Sequence, residues 1–301
     1  MEMMQKNVVQ LAAGCTLEQV DALYLAGMRV ALLDGSCTAE ELERLCSLVK
    51  TTFYNHNDPI GLMLRLTPGT QAASPEGYQY VLLDGFTAET ARQWKVSSGF
   101  AGTVLAKEPA SVESWTVDGI LTSDPVLAAK ARDLGLLVMV SDPAIKADAL
   151  LWCAGTPVET IAQRQENPVW DAAYLNSQLI DADVRSLTGR MAALNAMKSG
   201  AKAILVFTTD GSNLSAVSSL YPPIPVIAVA KRPEKEAMLL QQTMRWNTLP
   251  TAITRTPGSM DLEGFARFVA ELYGYQKGDT FVAAGHWVEG QNQEQLCCFT
   301  L

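Results

Sequence analysis

Short apolar runs alternate along this chain with stretches whose apolar residues recur at helical spacing. That order predicts a mainly parallel β-sheet with helices packed outside it. In the first half, runs at 8–13, 29–34, 60–66, 102–106, 119–122, 136–141 and 149–153 read as seven strands. Between them, 17–25, 39–50, 88–97 and 125–133 read as helices. The second of these carries Leu42, Leu45, Cys46 and Val49 on one face. Gly27, Gly99 and Gly135 follow helical stretches and supply stops. The segment 67–83, broken by prolines and glycines, reads as a plain crossing between strands.

A polar stretch at 163–168 and a helix at 169–180 lead into the second half, where the alternation resumes. A helix over 186–197 stops at Gly200, and strand 203–207 comes after it. A turn and a second helix come next, then strand 226–230, helices at 233–242 and 261–272, strand 280–284 and an edge strand at 295–300. We place a domain boundary near 183, giving units 1–182 and 183–301. Seven strand–helix units in about 155 residues are too compact for a standard (β/α)8 barrel of about 250. The first unit is therefore expected to be a trimmed or incomplete barrel, or an open sheet.

Composition then narrows the class. With 48% hydrophobic residues in 301, the chain can bury a core of one large or two medium domains. No apolar run approaches the roughly 20 residues that cross a bilayer, and the first residues lack a signal-peptide order. The expectation is no membrane partner and a cytoplasmic protein. A net charge of -9 repels a phosphate backbone, so no nucleic acid partner is expected. The six cysteines, at 15, 37, 46, 153, 297 and 298, show no Cys-x-x-Cys spacing and read as reduced thiols. With only His56 and His286 besides, neither a metal site nor a cofactor is expected.

The second half carries a run of motifs: Gly200-Ala201-Lys202-Ala203-Ile204, the turn Thr208-Thr209-Asp210-Gly211-Ser212-Asn213, then Leu220-Tyr221-Pro222-Pro223 and Pro225-Val226-Ile227-Ala228-Val229-Ala230. In order and spacing this resembles the C-terminal domain of pyruvate kinases. Gly278-Asp279 and Gly285 fit that family's last hairpin. In the first half, Ala26-Gly27-Met28-Arg29-Val30-Ala31-Leu32-Leu33-Asp34-Gly35-Ser36 resembles the family's second barrel strand, and residues 59–66 its third. The family inserts a lid domain after that strand, and 67–83 leaves no room for one.

The resemblance implies a phosphoryl-transfer site, and the departures from the family pattern fall on it. Such a site works by gathering cations around developing negative charge. Where the resemblance implies an Arg and an Asn on the second strand and an Asp on the third, this chain has Leu32, Asp34 and Arg65, with Ser36 just beyond. Arg65 would reverse the local charge. The family's Lys-Ile-Glu-Asn strand, which supplies the catalytic lysine and a metal-binding glutamate, finds no room between Ala106 and Asp118 and is expected to be deleted. The metal loop is replaced by Leu121-Thr122-Ser123-Asp124-Pro125. Asp124 could mimic a metal ligand, but one carboxylate holds Mg²⁺ weakly. Capping the helix that opens with Pro125 is the simpler role.

In the family, the turn at 208–213 cradles an effector phosphate at a helix N-terminus. Here Ser212 and Asn213 replace the family's Arg and Ser, and Asp210 would repel an anion, so a vestigial, structural turn is expected. His286 with Trp287 reads as an exposed hairpin. His56, in a polar Asn-His-Asn-Asp turn with no evident orienting strand, reads as a solvated turn residue. No catalytic residue is assigned. These departures point to a catalytically inactive relative kept for protein partners: itself, an active pyruvate kinase, or a larger cytoskeletal or ciliary (axonemal) assembly. A regulatory metabolite-binding subunit and a residual phosphotransferase are the alternatives.

Overall fold

The computed structural model describes residues 5–56, 58, 60–70, 74–109, 112, 117–162, 184–208, 211–230, 243–252, 261–286 and 294–301. They fall into two compact units. The first comprises 3–165 together with Thr243–Arg245, and the second 166–242 together with 246–301. The expected boundary near 183, the helices at 169–180 and 233–242, Thr209, Asp210 and Trp287 all lie outside the described residues.

The first unit is a closed barrel of eight parallel strands in sequential order. They are β1 (Lys6–Gln10), β2 (Met28–Asp34), β3 (Gly61–Leu66), β4 (Tyr80–Leu83), β5 (Thr103–Lys107), β6 (Gly119–Thr122), β7 (Leu137–Val140) and β8 (Ala149–Trp152), and β8 pairs with β1 to close the ring. The open-sheet alternative is therefore wrong, and so is the count of seven. The overlooked strand is β4, four buried apolar residues behind the Pro75-Glu76-Gly77 turn. A strand buried on both faces shows no alternation, so the punctuation around it dominated the reading.

With β4 in place, Thr103–Lys107 is the fifth strand, and the deletion expected between Ala106 and Asp118 does not exist. What is trimmed is the outer layer. Helices α1 (Leu17–Leu25), α2 (Ala39–His56), α3 (Ala88–Ser98) and α4 (Pro125–Asp133) come after β1, β2, β4 and β6, and α5 (Val158–Ala162) after β8. Among the described residues the connections after β3, β5 and β7 carry no helix. Loop residues cover the strands instead, with Val112 and Ala147 buried beside Ile120, Val138 and Val140.

Local chemistry sets the helix starts. Thr16 and Gln19 form a reciprocal capping box on α1, and Thr87 and Thr90 form one on α3. Thr38 and Glu41 bond each other's backbone N–H in the same way ahead of α2. Inside the barrel, Val8, Val30, Leu32, Met63, Leu82, Leu105, Leu121 and Met139 fill the lumen with apolar side chains, as an eight-stranded ring requires.

The second unit holds a five-stranded sheet in the order β11-β10-β9-β12-β13. Strands β9 (Ala203–Phe207), β10 (Val226–Ala230), β11 (Thr248–Ala252) and β12 (Thr280–His286) are parallel, and β13 (Glu294–Thr300) returns antiparallel along the edge of β12. Helices α6 (Val184–Ser199) and α7 (Ser212–Ser218) pack with one apolar cluster, α8 (Leu262–Leu272) with the other. Strand β11 escaped the sequence reading because it contains Pro250. Its place at the sheet edge explains how proline is tolerated there.

Candidate functional site

Enzymes with this barrel carry their chemistry at the C-terminal ends of the strands, and a connected set of charged side chains gathers there. Asp34 ends β2, Arg65 lies on β3, Asp84 directly succeeds β4, and Lys107 ends β5. Each sits where a buried apolar run gives way to solvent, and the β2–β3 register pairs Asp34 with Arg65.

Asp84 is the hub. Its Oδ2 accepts from Arg65 Nε at 2.8 Å, from the Arg65 Nη2 as well, and from Lys107 Nζ at 3.0 Å. Arg65 also reaches back to Asp34 Oδ2 at 3.5 Å. Burial alone would raise the Asp84 carboxyl, but the hydrogen bonds and charges of Lys107 and Arg65 outweigh it and hold the group below its ordinary value. The two cations remain partly accessible, the Arg65 side chain 29% and the Lys107 side chain 38%. Asp34 Oδ1 is taken by Ser36, whose backbone N and Oγ donate at 2.9 and 2.7 Å. Gly35 is required at this turn, since a Cβ there would stand 2.7 Å from the Arg65 carbonyl oxygen.

A second group adjoins at the next strand. Glu108 has a positive φ of 43°, rare for a residue with a side chain. Its carboxylate accepts from Thr122 Oγ1 at 3.0 Å and from Ser123 N and Oγ at 2.7 and 3.0 Å. Asp124 caps α4 through Val126 N at 2.8 Å, with Pro125 opening the helix.

The positions singled out by sequence therefore separate. Asp34, Ser36 and Arg65 come together at the mouth. Leu32 does not join them, being 1% exposed inside the barrel. Asp124 serves the next helix. Sequence reasoning missed Asp84, Lys107 and Glu108. The signal that could have found them is an apolar run closed by a charge, Val81-Leu82-Leu83-Asp84 and Val104-Leu105-Ala106-Lys107.

In the second unit, Thr208 directly follows β9 and its Oγ1 accepts from Gly211 N at 2.7 Å. Gly211, at φ 84°, is the N-cap of α7 and brings no side-chain bond. Asn213 is buried, and the side chain of Ser212 lies outside the described residues, as do Thr209 and Asp210. His56 corrects its expectation: it closes α2, stacks on Tyr24 with ring centroids 4.4 Å apart and approaches Asp21 Oδ1 at 3.6 Å, so it is oriented rather than solvated.

A closed parallel barrel followed by a mixed α/β sheet domain, with charged groups at the barrel mouth, is the class the architecture defines. Residues 188–295 match the family model described as pyruvate kinase, alpha/beta domain. No curated protein matches the chain. Among the described residues, no cluster of His, Cys, Asp and Glu could hold a metal ion, and no helix is long and apolar enough to cross a membrane.

Proposed function

We propose that this chain is a pyruvate-kinase-like protein that does not transfer phosphoryl groups and works by binding other proteins. Candidate partners are a second copy, an active pyruvate kinase, or a larger cytoskeletal or ciliary assembly. One observation carries the first half of the reading: the mouth charges are engaged with one another. Phosphoryl transfer needs cations that meet the phosphates and carboxylates that converge on a divalent ion. Here Arg65 and Lys107 both bond Asp84, and Glu108 holds Thr122 and Ser123. Displacing such pairs leaves a partly buried carboxylate uncompensated, at a cost each incoming anion would meet.

The test is an assay for pyruvate from phosphoenolpyruvate and ADP with Mg²⁺ and K⁺, joined to mass spectrometry of proteins that co-purify with the native chain. The proposal expects no turnover above buffer and a stoichiometric protein partner. Turnover that disappears in Lys107→Ala would overturn it.

A second reading, a metabolite-binding regulator or residual phosphotransferase, is favoured by Lys107 itself. It closes the fifth strand in an Ala-Lys-Glu sequence, where the resemblance puts a catalytic lysine, and its ammonium is partly open to solvent. Calorimetry with phosphoenolpyruvate, nucleotides and sugar phosphates separates the two. Heat that vanishes in both Lys107→Ala and Arg65→Ala favours this reading.

A further inference from the structure

The N-terminal end of the barrel is closed by residues from far along the sequence. Thr243, Met244 and Arg245 belong to the barrel unit, although residues 246–301 belong to the other. Met244 is fully buried in the same apolar cluster as Val8, Met63, Leu137 and Ala149. Tyr80, the first residue of β4 and itself fully buried, fixes it in place. The Tyr80 hydroxyl is 2.8 Å from Thr243 Oγ1 and accepts from Met244 N at 3.2 Å. The first residue of β3 is glycine for the same reason: a Cβ on Gly61 would stand 3.0 Å from the Tyr80 ring and 3.3 Å from Thr243 Oγ1.

One residue further along, the chain is anchored elsewhere. Trp246 Nε1 donates to the Pro222 carbonyl at 2.8 Å, its ring lies 4.7 Å from that of Tyr221, and the Asn247 carbonyl accepts from Val226 N at 2.9 Å. Met244 and Trp246, two residues apart in the chain, are thus held by residues of different units. We propose that Thr243–Arg245 are a stopper through which the barrel depends on the chain's second half, so that displacing Trp246 unseats Met244 and loosens the barrel from its N-terminal end.

Native-state amide exchange on the full-length chain tests this. Met244→Ala removes the buried side chain and should speed exchange of the β3 and β4 amides roughly thirtyfold or more. Trp246→Phe, which keeps the ring but loses the bond to Pro222, should speed the same amides by a smaller factor. Leu262→Ala, on α8 in the other apolar cluster of the second unit, should leave them unchanged. If Met244→Ala does not fold, Trp246→Phe, which leaves every barrel side chain in place, carries the test alone. Wild-type protection of these amides in Trp246→Phe overturns the proposal. So does an equal acceleration by Leu262→Ala, because the coupling would then run through global unfolding and not through the stopper.

Discussion

At the mouth of the barrel, Arg65 and Lys107 share one carboxylate in partial contact with solvent. At the opposite end, Met244 is sealed among apolar side chains, and Lys6, at the start of β1, is buried. The same strands create both environments, since each begins at the floor and ends at the mouth. At the mouth, charge compensates charge, with Asp84 taking both Arg65 and Lys107. At the floor, polar atoms are fixed individually, Tyr80 by Thr243 and Met244, Asn7 by Trp152 Nε1 at 2.9 Å. In barrels of this kind residues at the mouth answer to chemistry or recognition and residues at the floor to stability.

Leu32 gives the sharpest way to break this division. A resemblance-based reading puts it with the mouth residues, while its burial puts it in the lumen. Leu32→Arg would place an unpaired charge there and should cost about 4 kcal/mol or prevent folding, whereas Leu32→Met should cost below about 1.5 kcal/mol. Urea unfolding measures both. Near-native stability of the arginine variant would move Leu32 to the mouth.

Asp84→Asn comes next in size. It leaves Arg65 and Lys107 facing a neutral amide and should cost about 1–3 kcal/mol at pH 7. The Asp84 carboxyl is held below its ordinary value of 3.8, so its stabilisation is present above that pH and is lost as the pH falls through the lower folded value. The gap between wild type and variant in urea unfolding should therefore close in strong acid. A gap that persists there would mean that Asp84 acts by packing.

Lys6 carries the floor's half of the comparison and has the opposite sign. Burial first, and then the nearby Arg29 charge, lower its pKa from 10.5 to about 7, with Asp58 opposing. Between those values the unfolded chain binds more protons than the folded one, so this group makes stability rise with pH across that window. Lys6→Met should be more stable than wild type by about 1 kcal/mol or more at pH 6.5, with the advantage shrinking towards pH 10. Thermal unfolding at the two pH values checks it.

The contrast also explains what the sequence made legible. Helices α1 and α4 were bounded correctly from capping residues and periodicity, because those signals are local. Strands β9 and β10 were legible as apolar runs, and residues 200–230 carried the family likeness that the match over 188–295 supports. Strand β4 was not legible, since a four-residue buried run has no period to detect, and losing it hid the place of Lys107. Nor was the floor. Nothing local to Met244 marks it as barrel core, because its partners lie between Val8 and Ala149, about a hundred residues or more earlier in the chain. Of the mouth, Asp34 and Arg65 were found through resemblance, while Asp84, the residue that joins Arg65 to Lys107, lies at the end of the missed strand.

The smallest effect decides whether the mouth extends to Asp124. Its Oδ1 accepts from Val126 N at 2.8 Å, and its own N–H donates to Thr122 Oγ1 at 3.0 Å, so both ends of the residue serve the turn into α4. A cap of this kind contributes about 1 kcal/mol, and serine can replace aspartate at it where alanine cannot. Asp124→Ala should thus lower stability by about 1 kcal/mol, while Asp124→Ser should restore most of that loss. A metal ligand would behave differently, because serine lacks the carboxylate and would leave any magnesium-dependent stabilisation as weak as alanine does. Unfolding both variants with and without Mg²⁺ separates the roles. Rescue by serine with no magnesium dependence in any of the three proteins assigns Asp124 to the helix, whereas a magnesium effect present in wild type and lost equally in both variants assigns it to the mouth.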